Sequence, residues 1–121
     1  MMVRILAVDD SASMRKMVSI ALVGAGYEVE QAADGVEALQ IAEKRKFDLV
    51  ITDVNMPNMD GITLVRELRG RASYKYIPML VLTTEATAER KQQGRTAGAT
   101  GWLVKPFNPE RLLATIAKVL A

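Results

Sequence analysis

The sequence contains no cysteine and no histidine. Without cysteine the chain cannot form a disulfide, a thiolate nucleophile or a cysteine-based zinc site. Without histidine it lacks the usual general base, the usual transition-metal ligand and the usual phosphate-accepting imidazole. Any chemistry must therefore rely on carboxylates, hydroxyls and lysine.

Long hydrophobic runs are also absent. No apolar stretch approaches the roughly 20 residues that a membrane span requires, and the start MMVRILAVDD is too short and too acidic for a signal peptide. We therefore expect a cytoplasmic protein with no membrane partner. With 121 residues the chain has room for one domain, which we expect to span residues 1–121.

The net charge of +2 conceals an asymmetry between the two halves of the chain. Residues 1–61 hold 10 acidic and 6 basic side chains, a charge of −4, whereas residues 62–121 hold 4 acidic and 10 basic side chains, a charge of +6. The basic residues are dispersed without aromatic interleaving, so we expect no nucleic-acid partner. They form either ordinary solvated helix faces or a weakly basic docking face.

Five short apolar segments recur at regular intervals, and each is too short for a helix. They are RILAV (4–8), YEVEQA (27–32), DLVIT (48–52), PMLVLT (78–83) and GWLV (101–104). Four of them are nearly continuous, which is typical of strands covered on both faces. YEVEQA alternates between apolar and polar residues, so we expect it at an edge of the sheet.

Helical patterns separate these strands. The second helix begins with Asp34 and Glu37 placed as a capping box, the third begins near Asp60, and the last begins with Asn108 as cap and Pro109 at the first helical position. Strand and helix alternate five times, which predicts an α/β fold with a parallel sheet and helices on both faces. The first helix has an apolar stripe formed by Met14, Met17, Val18, Ala21 and Leu22.

The segment 87–98 predicts the weakest helix. Gly94 lies inside it and costs about 1 kcal/mol relative to alanine. Thr87 provides a cap, and the apolar stripe is little more than Ala88 and Ala97. We interpret this segment either as a helix that is simply poor or as a functional hinge.

Acidic and amide side chains follow two of the strands. Asp9 and Asp10 come after RILAV, and Asp53 and Asn55 come after DLVIT. Because parallel strands end at one edge of a sheet, the acids are expected to share a crevice, where like charges raise each other's pKa unless a cation lies among them. Carboxylate and carbonyl oxygens suit Mg²⁺. Alternatively, Asp9 or Asp10 only caps the first helix.

A hydroxyl and an ammonium group end the last two strands. Thr83 ends PMLVLT, and Lys105 follows GWLV. Lys105 alone could be a counter-charge for the carboxylates. Together the two groups would suit a phosphoryl group attached to Asp53, with Mg²⁺ neutralising the remaining oxygens.

Four segments in this order resemble the receiver domains of bacterial two-component response regulators, most closely the single-domain chemotaxis type, which is CheY-like. They are VDDS, ITDVNMPNMDG, LTTEA and LVKPF, at the ends of the first, third, fourth and fifth strands. The similarity covers essentially all 121 residues. It implies a flavodoxin-like five-stranded parallel sheet of order 2-1-3-4-5 with five helices on both faces.

The resemblance implies Mg²⁺ as the cofactor and assigns its ligands. Asp10 and Asp53, with the backbone carbonyl of Asn55, would hold the ion, and Asp9 would act through a metal-bound water. Asn55 and Glu85 would correspond to two variable positions that tune loss of the phosphoryl group.

The resemblance also implies phosphoryl chemistry and a switch. Asp53 would be the phosphoacceptor, with Thr83 and Lys105 contacting the phosphoryl oxygens, and a cis peptide before Pro106 would aim Lys105 inward. Thr83 would move toward the phosphoryl group while Trp102 turns inward. Receivers usually have tyrosine or phenylalanine at that position, so the bulkier indole could instead be a half-buried anchor of an edge strand.

The implied function is a phosphorylation-activated switch, here in chemotaxis. A CheA-like sensor histidine kinase would donate the phosphoryl group, and self-catalysed phosphorylation and dephosphorylation would be the only reactions, so we do not expect an enzyme. With no domain after Ala121, a monomer would signal by contact with a protein such as the flagellar motor switch, and a phosphatase would be a further partner. We expect docking on Arg90, Lys91, Arg95 and the last helix.

Other functions remain open at this point. The domain could be a phosphorelay intermediate or a phosphate sink. A Mg²⁺-dependent phosphatase with an aspartyl-phosphate intermediate would need a proton-transferring acid at the position of Asn55. A flavin-binding protein would need a phosphate-cradling first loop, whereas DDSAS is acidic.

Overall fold

The computed structural model describes residues 2–84 and 87–121, and its centre is an open sheet of five strands. The neighbouring strands are all parallel and follow the order β2-β1-β3-β4-β5, which confirms the predicted topology. The strands are β1 (Arg4–Val8), β2 (Glu28–Ala32), β3 (Leu49–Thr52), β4 (Met79–Thr83) and β5 (Gly101–Val104).

Four α-helices connect the strands, a fifth follows the last strand, and together they cover both faces of the sheet. One face carries α1 and α5, and the other carries α2, α3 and α4. A short 3₁₀ helix over Ala72–Tyr74, which has no apolar periodicity and is not predicted, precedes β4. The helices are α1 (Ala12–Gly24), α2 (Gly35–Lys44), α3 (Gly61–Arg69), α4 (Ala88–Ala97) and α5 (Pro109–Leu120).

Successive strand residues point into two separate cores. In β1, Ile5 and Ala7 pack with α1 and α5, whereas Leu6 and Val8 pack with the three helices of the opposite face. This alternation follows from the two-residue period of a strand. Burial on both faces is found for β3 and β4, as predicted. In β5, however, only Leu103 is buried, because this strand forms the second edge of the sheet beside the predicted edge strand β2.

The predicted helix starts agree with the observed caps. Asp34 accepts a hydrogen bond from the Glu37 amide, and Asn108 caps α5 with Pro109 at its first position. The Glu37 carboxylate reaches the amide of Ala33 instead of that of Asp34, so the expected capping box closes one residue earlier. Side-chain acceptors thus satisfy amides that would otherwise lack partners at the start of each of the five α-helices.

Two helix faces differ from their predicted stripes. On α1, Met17 is 41% exposed, and Ser19 is buried although it is polar. On α4, Ala88 is exposed, whereas Gly94 is buried with Ala97. The buried glycine means that α4 approaches the sheet through its backbone. The predicted tuning residue Glu85 lies outside the described residues.

Candidate functional site

The carboxyl ends of β1 and β3 bring three acidic side chains together. Val8 pairs with Thr52 in the parallel ladder, so Asp9 and Asp10 leave the sheet beside Asp53. One carboxylate oxygen from each of the three acids lies within 4.8 Å of the others. The predicted clustering of the acids is therefore found in the structure.

Asp9 is the most enclosed of these acids, with 6% of its surface exposed. One carboxylate oxygen accepts from the Ser11 amide at 2.9 Å, and the other accepts from Nζ of Lys105 at 2.9 Å. Its backbone carbonyl accepts from the Arg15 guanidinium at 2.6 Å. The side-chain cap of α1 is Ser11, so neither Asp9 nor Asp10 has the capping role that was the alternative interpretation.

Asp53 follows β3 at the carboxyl ends of the strands and is bonded there to β1 and to its own chain. Its amide donates to the carbonyl of Val8 at 2.9 Å, and its carboxylate accepts from the Val54 amide at 2.8 Å. Burial raises the pKa of Asp53 and the charge of Asp9 raises it further, while Lys105 and the Val54 amide oppose the shift. The site thus contains a carboxylate that is costly to ionise without nearby positive charge.

The backbone beneath Asp53 is packed against the start of α3. The Thr52 hydroxyl donates to the carbonyl of Asp53 at 2.8 Å, and the Gly61 amide donates to the carbonyl of Val54 at 2.9 Å. A β-carbon at Gly61 would overlap the carbonyl oxygen of Asp53. The position therefore requires glycine, a role that the local sequence pattern does not reveal.

Lys105 places its ammonium group between two of the acids. Nζ lies 2.9 Å from an oxygen of Asp9 and 3.5 Å from one of Asp53, and only 11% of the side chain is exposed. The peptide bond between Lys105 and Pro106 is cis, as the resemblance implied. The predicted counter-charge role is present in the structure, and contact with a phosphoryl group stays a prediction.

Thr83 and Trp102 lie on the same face of the sheet. Val81 pairs with Trp102, and Thr83 pairs with Val104. The side chains of Thr83 and Trp102 therefore lie on neighbouring strands, offset by two residues along the strand direction. Thr83 is completely buried. Trp102 packs toward α4, where its six-membered ring lies against Gly94: a β-carbon there would be 2.5 Å from Cζ3. Its buried Nε1 has no hydrogen-bond partner among the described residues.

The predicted docking residues lie on α4. Lys91 and Arg95 are exposed, and Arg90 is partly buried with its guanidinium donating to Gln93. A cavity of about 110 Å³ lies between α4 and β5, beside the contact of Trp102 with Gly94. The cavity is lined by Lys91, Arg95, Ala99, Thr100, Gly101 and Trp102.

Arg69 fixes the C-terminal end of α4, and no sequence pattern predicts this. Its guanidinium donates twice to the carbonyl of Gly98, at 3.0 and 2.8 Å, and also to the carbonyls of Tyr74 and Ile77. Gly98 ends α4 with φ of 113°, a conformation that favours glycine. The helix is therefore anchored at this end.

The donor set at the acidic cluster fits a hard divalent cation. Asp9, Asp10 and Asp53 supply only oxygen ligands, and the chain contains no histidine or cysteine that would favour a softer metal. Lys105 compensates one of the three negative charges. Asn55, the fourth predicted ligand, follows Asp53 in an exposed position.

Comparison with known proteins explains why these residues occur together. The family model described as the response regulator receiver domain matches residues 5–117. The chain belongs to this family. Among solved structures, this receiver domain superposes with a TM-score of 0.94 on the chemotaxis response regulator CheY4 of Vibrio cholerae, at 58% identity over 98% of this chain and 99% of that one.

Curated relatives include both short and long regulators. Chemotaxis protein CheY-3 of Vibrio cholerae is 38% identical over 117 residues, which are 96% of the receiver domain and 90% of that protein. The DNA-binding dual master transcriptional regulator RpaA of Synechocystis is 39% identical over 119 residues, or 98% of the receiver domain but 49% of that protein. In the parts of the chain that the structure describes, no helix has the length and apolar character to cross a membrane.

Proposed function

We propose that this receiver domain is a phosphorylation-activated switch that accepts a phosphoryl group on Asp53 from a sensor histidine kinase. The observation that carries the proposal is the position of Lys105, whose ammonium group lies between the carboxylates of Asp9 and Asp53 with Asp10 alongside. The Asp53 carboxylate, the proposed nucleophile, thus has the Lys105 ammonium group 3.5 Å away. This donor can form a hydrogen bond with a negatively charged oxygen of an incoming phosphoryl group.

The reaction is a transfer between two side chains. A carboxylate oxygen of Asp53 attacks the phosphorus of a phosphohistidine on the kinase, the P–O bond forms as the P–N bond breaks, and the departing imidazole takes a proton from solvent. Lys105 donates to a phosphoryl oxygen, and Thr83 is the proposed hydroxyl donor. The Val54 amide holds Asp53 in a fixed orientation at 2.8 Å.

Mg²⁺ is part of this proposal. Asp10 and Asp53, with the carbonyl of Asn55, would hold the ion, which when bound neutralises negative charge on the phosphoryl oxygens. Asp9, whose carboxylate accepts from Ser11 and Lys105, would act through a metal-bound water, as the resemblance to receiver domains implies. The cytoplasmic location, the single domain over residues 1–121 and the monomeric state belong to the same proposal.

The signal would leave through α4 and β5. Thr83 ends β4 close to the acidic edge, and Trp102 stands on the same face of the sheet beneath α4. A target protein with acidic side chains would bind Arg90, Lys91 and Arg95 on α4 beside the cavity, together with the last helix, α5. The chemotaxis relatives CheY-3 and CheY4 support a role in chemotaxis. For that role the proposed target is a protein such as the flagellar motor switch. Relay to another histidine protein would use the same site.

Labelling with a small phosphodonor tests the proposal. The protein is incubated with acetyl phosphate and Mg²⁺, while intact mass and Trp102 fluorescence are followed. We expect a labile gain of one phosphoryl group that disappears in Asp53→Asn and after chelation of the metal. Asp48→Asn is the matched control, because Asp48 lies at the opposite end of β3 and binds the Arg4 amide through an oxygen that asparagine also supplies.

Two outcomes would contradict the proposal. Undiminished labelling in Asp53→Asn would place the acceptor elsewhere. Sustained turnover of varied phosphomonoesters would favour a phosphatase, although Asn55 at the position of the required acid cannot transfer protons.

A further inference from the structure

The loop between β3 and α3 contains an unusual backbone conformation. Asn58 has φ of 69°, and no other described residue except glycine has a positive φ. The Met59 amide donates to the carbonyl of Pro57 at 2.7 Å, which closes a three-residue turn around Asn58. Such conformations are sparsely populated and persist only where surrounding contacts hold them.

A side-chain bond to α2 holds this turn. Nδ2 of Asn58 donates to one carboxylate oxygen of Asp34 at 2.8 Å, and the other oxygen of Asp34 accepts from the Glu37 amide at 2.8 Å. Both bonds lower the pKa of Asp34, because they stabilise its ionised form. One side chain therefore caps α2 and binds the loop at the same time.

The loop also rests directly on the first turn of α2. A β-carbon at Gly35 would lie 2.6 Å from the carbonyl oxygen of Met59 and 2.8 Å from its Cβ. Two adjacent residues of the loop therefore contact the start of α2: Asn58 bonds Asp34, and Met59 packs against Gly35. Both join the loop to a helix that lies outside the acidic cluster.

The same loop carries two of the proposed metal ligands. Asp53 opens it and Asn55 lies three residues before Asn58. Its base is closed by the Gly61 amide, which donates to the carbonyl of Val54 at 2.9 Å. The contacts with α2 hold the outer part of the loop, at the end away from this base.

We propose that Asp34 and Asn58 are positioning residues for the divalent-cation site. They fix the loop so that the carbonyl of Asn55 is held beside the carboxylates of Asp10 and Asp53. Mg²⁺ requires near-octahedral ligands at short distances, whereas Ca²⁺ tolerates a looser cage, so a fixed loop favours Mg²⁺. This inference rests on the proposed Mg²⁺ site.

Two variants separate positioning from stability. Asn58→Gly keeps a residue that adopts positive φ but removes the bond to Asp34. Asp34→Ser keeps a helix cap but is too short to reach Asn58 as well. Asn108→Ser is the matched control, because it makes a similar cap replacement at α5. Urea unfolding in chelator checks that all variants fold.

Calorimetric titration with Mg²⁺ and with Ca²⁺ is the measurement. We expect Asn58→Gly and Asp34→Ser each to weaken Mg²⁺ binding about tenfold, the scale of outer ligand-orienting partners. Ca²⁺ binding should weaken less, so that the preference for Mg²⁺ falls, and the double variant should lose no more than either single one. Asn108→Ser should bind both ions as the parent protein does.

The results distinguish the inference from the function on which it rests. If the parent protein binds Mg²⁺ in an Asp10-dependent manner but Asn58→Gly and Asp34→Ser bind it equally well, the positioning role is wrong and the proposed function stands. If both ions weaken equally, or the two effects add, the residues do not act as a pair on ligand geometry. If the parent protein binds no Mg²⁺, the proposed function and this inference both fail.

Discussion

Gly94 and Trp102 occupy complementary volumes: the indole ring lies where the first side-chain atom of any other residue at position 94 would be. The glycine that makes α4 a poor helix is therefore also the residue that lets a tryptophan lie beneath it. The bulk of the indole relative to tyrosine or phenylalanine is accommodated by the facing helix. The sequence feature that suggested a weak helix thus has a packing cause.

Replacing Gly94 by alanine should have opposite effects in two backgrounds. With Trp102 present, the β-carbon lies 2.5 Å from Cζ3, and overpacking of this kind costs about 1–3 kcal/mol, more than the gain of about 1 kcal/mol in helix propensity. Gly94→Ala should therefore destabilise the protein and expose the indole. Urea unfolding followed by circular dichroism measures the first effect, and tryptophan emission measures the second.

In a Trp102→Ala background the overlap between the new β-carbon at position 94 and the indole ring is removed. Gly94→Ala should then stabilise the protein by roughly the helix-propensity gain of about 1 kcal/mol. A stabilising effect of the same size in both backgrounds would show that the two residues do not compete for space.

Ionisation of Asp53 should lower the unfolding free energy of the metal-free protein. Its pKa is raised by burial and by Asp9, so the folded state binds the proton more tightly than the unfolded chain does. Its stabilising contribution is complete below the unfolded value near 3.8 and is lost as the pH rises through the higher folded pKa. Asp53→Asn should therefore stabilise the protein at neutral pH in chelator, by about 1.4 kcal/mol for each unit of the shift.

Unfolding free energies of Asp53→Asn and the parent protein, compared from pH 3.5 to 8, check this sign. The difference should grow with pH and then level off, and saturating Mg²⁺ should reduce it, because the ion stabilises only the parent site. A difference that shrinks as the pH rises would mean that Lys105 outweighs burial at Asp53.

The architecture follows closely from the apolar pattern. Each predicted strand is found within one residue of its expected bounds. The central strands β1, β3 and β4 carry nearly continuous apolar runs because they are buried on both faces, and the edge strands β2 and β5 are short segments bounded by turn residues. The convergence of Asp9, Asp10 and Asp53 follows as well, because parallel strands end at one edge. The apolar pattern and the order of the strands along the chain are therefore sufficient to predict the architecture and the clustering of the acids.

Contacts between segments far apart in the sequence escape such reasoning. Arg69 bonds the carbonyl of Gly98, and Asn58 bonds Asp34, yet neither pair leaves a periodic or compositional signal. The prediction that Met17 belongs to the apolar stripe of α1 was wrong for a related reason: helical spacing places it in the stripe, but the neighbouring elements leave it exposed. Three-dimensional neighbours, more than local preference, decide such positions.

Removal of the ammonium group of Lys105 should separate its structural and electrostatic roles. Lys105→Met leaves Asp9 and Asp53 without their cation, and loss of one partner of a buried pair costs about 3 kcal/mol. We expect the metal-free protein to be destabilised by this order and to bind Mg²⁺ more tightly, because the cluster becomes more negative. Labelling by acetyl phosphate should nevertheless slow, because the donor to the phosphoryl oxygen is gone.

Unfolding in chelator, Mg²⁺ titration and intact-mass labelling give the three readouts for Lys105→Met. Lys118→Met on α5 is the control, since this lysine is exposed at the far end of the helix. Weaker Mg²⁺ binding in Lys105→Met would mean that the lysine mainly holds the carboxylates in place.

Gly61 should be the least replaceable glycine of the site. A β-carbon there overlaps the carbonyl oxygen of Asp53, which is a backbone atom and cannot yield as the end of a flexible side chain could. Gly61→Ala should lower the unfolding free energy by 3 kcal/mol or more, because overpacking against backbone lies at the upper end of its range. Gly24→Ala at the end of α1, where nothing lies within 4 Å, should instead stabilise by about 0.5–1 kcal/mol. Urea unfolding of both variants decides, and a tolerated Gly61→Ala would mean that the start of α3 can move away from the phosphoacceptor strand.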